Sequence, residues 1–203
     1  MGDFKSAQVW NTIRNREHQA LWANMVWFPQ CVPRHSFHIW LAFRNKLKTQ
    51  DRLAVWEAGS QTNLNLMCCP LCNFDRDSHD HLFFQCNFAA QVWSNVKKMV
   101  NLVTVDNTWP SLFTWVEQHS RSKEVDHIVC KLLIAASSYY IWQERNNRLF
   151  NNNKRTVDQV IKKIKSSVRL RLMGFRFRAI SDRERIFKAW QIEDIKGDIG
   201  DPD

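Results

Sequence analysis

The stretch Cys68-Cys69-Pro70-Leu71-Cys72-Asn73-Phe74-Asp75-Arg76-Asp77-Ser78-His79-Asp80-His81-Leu82-Phe83-Phe84-Gln85-Cys86 holds four of the chain's six cysteines and two of its seven histidines. Either these side chains fill a core or they hold a metal ion. Zinc takes four sulfur or nitrogen ligands in a tetrahedron, with thiolate and imidazole as its usual set. Cys69-Pro70-Leu71-Cys72 offers two thiols across a tight two-residue turn, and His81 with Cys86 offers an imidazole and a thiol, giving the frame C-x2-C-x8-H-x4-C. Each ligand type has a rival. Cys68 gives an x3 spacing without the Pro-Leu turn, and His79 stands seven residues before Cys86 and reaches the ion only from a longer loop. A five-residue offset is about 140° around an ideal helix, so His81 is expected to enter from a turn at a helix start. The predicted metal ligands are therefore Cys69, Cys72, His81 and Cys86, holding one structural Zn2+.

Other chemistries fit this stretch less well. A thioredoxin-like redox pair needs a βαβ context, which the surrounding helical pattern lacks. Catalytic zinc keeps an open coordination position, whereas four nitrogen and sulfur ligands close the site. Asp75, Asp77 and Asp80 read as a polar loop.

Outward from this stretch the apolar spacing is helical. Residues 4–26 carry one such stripe, and Phe37, Trp40, Leu41, Arg44 and Leu47 continue the pattern after Pro29 and Pro33. Asp51 begins a short helix to about Ala58, closed by Gly59 to Thr62. A helix is predicted from Phe88 to Val100 and a short one from Trp109 to His119. Residues 122–150 are apolar nearly all round and predict a central helix, ended by Asn151-Asn152-Asn153. Val157, Val160, Ile161, Ile164 and Val168 then form a stripe opposite lysines. Val168 to Leu172 and Phe175 to Ala179 alternate around Met173-Gly174, which also fits a short β-hairpin over 168–179, although the preceding stripe favours helix through Leu172. The fold class is mainly α, a small helical zinc-binding domain followed by a basic helical C-terminal region. The expected division is residues 1–100, a linker with a short helix at 101–121, the basic helical region 122–190 and a loose acidic tail at 191–203. Most of the ten tryptophans lie on apolar stripes and belong to the core.

Charge is uneven. The chain carries +9 in all, with +2 in residues 1–120, +11 in residues 121–190 and −4 in the last thirteen. A basic excess confined to one region is the footprint of a polyanion-binding segment. No apolar run is long enough to span a bilayer. The start lacks a signal-peptide core, and no Asn-x-Ser/Thr site occurs, so a reducing compartment, nuclear or cytoplasmic and not secreted, is expected.

With these residues located, the chain resembles the reverse-transcriptase zinc-binding domain that follows the polymerase in plant LINE-type (non-long-terminal-repeat) retrotransposon proteins. The resemblance rests on Trp27-Phe28-Pro29, Val32-Pro33-Arg34, Phe37 to Ala42, Leu47 to Leu53, Cys69-Pro70-Leu71-Cys72, His81 to Cys86 and Val92-Trp93-Ser94, in that order. It covers roughly residues 8–98. Residues 125–190, with Ile141 to Phe150, look like the tail of the same proteins. The family's metal positions fall on Cys69, Cys72, His81 and Cys86. The family's polymerase carries paired aspartates and no Asp-Asp pair occurs here, so the chain is read as a stand-alone tail and not as an enzyme.

The function expected is a zinc-stabilised nucleic-acid-binding module, for RNA or single-stranded DNA. Its expected phosphate contacts are Lys162, Lys163, Lys165, Arg169, Arg171, Arg176 and Arg178. Arg34 with His35, and Arg44, Lys46 and Lys48, form a smaller second cluster. The resemblance implies element RNA or target DNA as the polyanion and a polymerase domain in trans as a partner. The alternative is a zinc-stabilised helical module that binds another protein through its acidic tail or tryptophan-rich surface.

Overall fold

The computed structural model describes residues 12, 20, 22–54, 68–100 and 102–193. Among them the helices are α1 (Ala23–Val26), α2 (Pro33–Phe43), α3 (Gln50–Ala54), α4 (Asn87–Lys97), α5 (Trp109–His119), α6 (Val125–Asn151), α7 (Val157–Met173) and α8 (Ile180–Trp190), with a single π-helical turn at His81–Gln85. The described residues contain no strand, only an isolated bridge between Cys68 and Arg76. The expected helical stripe over residues 4–26, the end of the Asp51 helix, the Gly59–Thr62 turn and most of the acidic tail lie outside the described residues.

The all-round apolar run does become the central helix. α6 has 27 residues, about 40 Å at 1.5 Å per residue. It packs against α1, α2, α4, the π turn and α7. Ile128 to Ser138 are buried without a break, so neighbours must cover it on every side. Asn152 ends the helix in the left-handed region at φ 47°, a conformation asparagine tolerates better than most residues. The chain then folds back into α7, which begins with a capping box. The Thr156 hydroxyl accepts from Gln159 N and the Gln159 side chain accepts from Thr156 N. α5 starts similarly, with Thr108 accepting from Ser111 N and Pro110 in the first turn.

The alternating arginine stretch is helical and forms no hairpin. Val168 and Leu172 are buried one turn apart, and Leu170 between them is 74% exposed. A strand would have put Leu170 on the apolar face with both. Residues 174–179 are an irregular link to α8. No described helix is long and apolar enough to cross a membrane.

Candidate metal centre and basic clefts

The Cys69–Cys72 turn is built by backbone geometry. Asn73 N donates to Cys69 O at 2.7 Å and Cys69 N donates to Asp75 O at 2.7 Å, with Asn73 at φ 55°. This curls the chain so that both thiols face inward. The other two side chains come from opposite ends of the π turn. Cys86 N donates to His81 O at 2.7 Å, the five-residue closure of a π turn. The turn's extra width carries His81 and Cys86 to the same side, which an ideal helix forbids. Cys86 then enters α4 in an extended conformation.

The ligand atoms of Cys69, Cys72, His81 and Cys86 all lie within 4.8 Å of one another. Cys69 Sγ is 4.0 Å from Cys86 Sγ, and Cys72 Sγ is 3.3 Å from His81 Nε2. Tetrahedral zinc with ordinary bond lengths requires about 3.8 Å between sulfurs and about 3.5 Å between sulfur and nitrogen. The four residues therefore fit one zinc ion. The donor set agrees, because the hydrogen bond from Cys69 lowers the Cys86 thiol to about 5 while Cys69 is pushed up by the same bond and by burial. The Asp75 carboxylate stands 3.7 Å from the other His81 nitrogen, Nδ1, where it favours ligation through Nε2.

Both rivals are occupied otherwise. His79 is buried, stacked on Trp109 with centroids 4.5 Å apart and edge-on to Phe83 at 5.3 Å. Cys68 bridges the loop to Arg76 through its backbone.

The sequence reading missed how deeply the far end of α6 engages this loop. Asp77, read as part of a polar loop, is fully buried. Its Oδ2 accepts from Arg145 Nη2 at 2.5 Å and from Gln50 N at 2.9 Å. Arg148 donates to the Leu71 carbonyl inside the Cys-x-x-Cys turn, to Glu144 and to the Arg155 carbonyl, each at 2.8 Å, and its guanidinium lies 4.5 Å from the Phe88 ring centroid. Glu144 is fully buried and also accepts from Arg155 N at 2.7 Å. The stretch Glu144-Arg145-Asn146-Asn147-Arg148 is therefore a clasp over the metal turn. Its only sequence signal was three charges at helical spacing inside an apolar helix.

The seven expected phosphate contacts fall into different settings. Lys162 and Lys163 are exposed, and Lys165 is half-buried. Arg169 donates to the Gln191 carbonyl. Arg171 donates to Gln30 O at 2.7 Å and Pro29 O at 3.1 Å, pinning α7 to the loop before α2. Arg176 and Arg178 are exposed beyond the end of α7. Two clefts gather cations. The first, of 750 Å³, is lined by Arg34, Lys154, Arg155, Lys162 and Lys163, with Tyr140, Leu170 and neutral amides and hydroxyls, and no acid. The second, of 530 Å³, has Arg176, Arg178, Arg121 and Lys123 beside Trp27 and Phe175. His35, grouped with Arg34 from the sequence, is no surface cation. It is buried against Tyr139 and Tyr140, and burial with the Arg34 charge lowers its pKa to about 4.

Residues 4–93 match the family model described as zinc-binding in reverse transcriptase. No curated protein and no solved structure matches the chain.

Proposed function

We propose, from the match of residues 4–93 to the model described as zinc-binding in reverse transcriptase, that the chain is a zinc-scaffolded nucleic-acid-binding module with no polymerase activity of its own. The observation that carries this reading is the acid-free cleft between α2, α6, α7 and the loop joining α6 to α7, with its five cations. Arg155 pairs with the buried Glu144 at 3.3 Å, and the other four, Arg34, Lys154, Lys162 and Lys163, are clustered cations of the kind that attract phosphates and displace their counterions. Zinc supports this arrangement at a distance. It fixes the Cys69–Cys72 turn, Arg148 ties that turn to α6, and Arg148 and Glu144 hold Arg155 and the loop that presents Lys154.

Zinc supplies structural rigidity, on the order of 10 kcal/mol of apparent folding energy at neutral pH. Cys69, Cys72, His81 and Cys86 hold it. Lys162, Lys163, Lys154 and Arg34 meet phosphates, without reading base sequence. The polyanion is element RNA or target DNA, with a polymerase domain as partner in trans, acting in the nucleus or cytoplasm. A protein-binding role has less behind it, since Trp27 alone of the eight described tryptophans is exposed.

A salt-titrated gel shift with single-stranded RNA tests this. Binding should be micromolar or tighter at low salt and fall steeply between 50 and 200 mM salt. Affinity no better than millimolar, or insensitive to salt, would refute it.

A further inference from the structure

Trp27 is the outlier among the tryptophans. It is 51% exposed at the end of α1, and neither face of its ring meets another ring or a cation among the described residues. It lines the second cleft together with a set of unpaired cations. Arg121, Lys123, Arg176 and Arg178 line that cleft and have no ion-pair partner among the described residues. Two acids also stand on its wall, Asp182 ion-paired with Arg185 at 3.0 Å and Glu124 3.1 Å from His127, whose pKa burial lowers. A flat exposed indole beside guanidinium groups, in a space of 530 Å³, suits one nucleotide, with the base on the ring and the phosphate on the cations.

The two clefts are neighbours. Gln30 lines one and Arg34 the other, and four residues of chain reach at most about 14 Å. Phe175 and Leu170 are similarly divided between them, five residues apart, at most about 18 Å. Between Leu170 and Phe175 in the chain, Arg171 donates to the carbonyls of Pro29 and Gln30, which line the second cleft. These separations lie within the reach of a few nucleotides of one strand.

We propose that the Trp27 cleft takes an unpaired base of the same strand, stacked on the indole, with its phosphate on Arg176 and Arg178, so that the module selects single strands over duplexes. This rests on the nucleic-acid reading above and adds the choice of strand. A paired base keeps both faces in its own stack and has none to offer Trp27. The acid-free cleft, by contrast, contacts only phosphates and accepts either form.

The test compares the zinc-loaded full chain with Trp27→Leu and with the double variant Arg176→Gln/Arg178→Gln. Fluorescence anisotropy is read with a labelled oligouridylate, an oligothymidylate and a duplex of the same length. Trp27→Leu should weaken both single strands roughly tenfold, leave duplex binding and the salt slope unchanged, and abolish part of the tryptophan quenching seen on binding. Arg176→Gln/Arg178→Gln should lower the single-strand salt slope by about 0.7, the value for the one phosphate they share. The two single-strand arms tell RNA from DNA, and loss of affinity for either on Trp27→Leu supports stacking. Single-strand binding by Trp27→Leu equal to that of the unaltered chain overturns the stacking site and leaves the nucleic-acid module standing. An equal loss for duplex also overturns it. Failure of the unaltered chain to bind any of the three probes overturns both readings.

Discussion

Arg148, near the end of α6, donates from Nη1 to the carbonyl oxygen of Leu71 at 2.8 Å, 77 residues away in sequence and inside the turn that carries two of the zinc ligands. The same guanidinium reaches Glu144 and the carbonyl of Arg155. One side chain thus connects the metal turn, the central helix and the loop that opens the basic cleft. A planar fork of five donors can serve three acceptors in fixed directions, which an ammonium group cannot.

Arg148→Ala should therefore lower stability by about 2 to 4 kcal/mol, because it removes three hydrogen bonds and the packing on Phe88. It should also speed zinc loss to a chelator roughly tenfold, the scale expected for outer partners of metal ligands. Arg148→Lys should recover little of either. Urea unfolding and chelator-competition kinetics measure the two effects. Unchanged zinc release in Arg148→Ala would show that the clasp is not coupled to the site.

Asp77 and Arg145 make a different kind of bond. Both are almost completely buried, so their attraction is set against two large desolvation costs. Removing one partner leaves an uncompensated charge. Asp77→Ala should cost about 3 to 5 kcal/mol, and adding Arg145→Met should restore part of that loss. A double-mutant cycle by urea denaturation checks this, and strictly additive losses would contradict a direct pair.

These buried charges mark the limit of what could be read in the sequence. The ligands were legible because zinc chemistry dictates residue type and local spacing. α5 was legible from its periodicity, and α6 because an all-round apolar run requires burial. Glu144, Arg145 and Arg148 were not, since their partners lie 68 to 77 residues away or in a loop reached only after the chain folds back. Charge on a helix ordinarily means solvent, and only the tertiary structure reverses that. Leu170 misled in the opposite direction. An apolar residue between two arginines suggests a strand, yet α7 simply leaves it outside. The π turn was invisible as well, because no residue pattern announces one extra residue in a helical turn. Only the demand that His81 and Cys86 meet at one ion hinted at it.

The buried histidines predict a loss of stability in acid. His38 is lowered to about 3, first by burial and then by the neighbouring His35 and His79. His35 is lowered to about 4. A histidine whose folded pKa lies below its unfolded value near 6.5 prefers the folded state when neutral. Its contribution is complete above pH 6.5 and is lost as the pH falls toward 4 and below. Each such group adds at most about 1.4 kcal/mol per pH unit to the slope in that window. Zinc ligands also take up protons there, so the comparison must be differential. Subtracting the pH profile of His38→Gln from that of the unaltered chain cancels the metal contribution. The difference should slope downward between pH 6.5 and 4, and a flat difference would mean that His38 is charged or solvated in the folded protein.

The last prediction separates ligands from their neighbours. Cys68 and Cys69 are adjacent, and His79 and His81 are two residues apart, so chemistry alone offers several tetrads. The geometry picks one, since Cys69, Cys72, His81 and Cys86 converge while His79 packs on Trp109. Purified protein should hold close to one zinc per chain. Cys72→Ser and Cys86→Ser should lose it, with loss of helical signal, because their thiolates have no substitute within reach. Cys68→Ser should keep the zinc and nearly full stability. His79→Phe should also keep it, at a cost of about 1 to 2 kcal/mol from disturbed ring packing. Metal analysis alongside circular dichroism reads all four variants. Zinc retained in Cys86→Ser but lost in Cys68→Ser would reassign the site. A chain that stays folded after complete chelation would show that helix packing, and not the metal, holds the Cys69–Cys72 turn against α6.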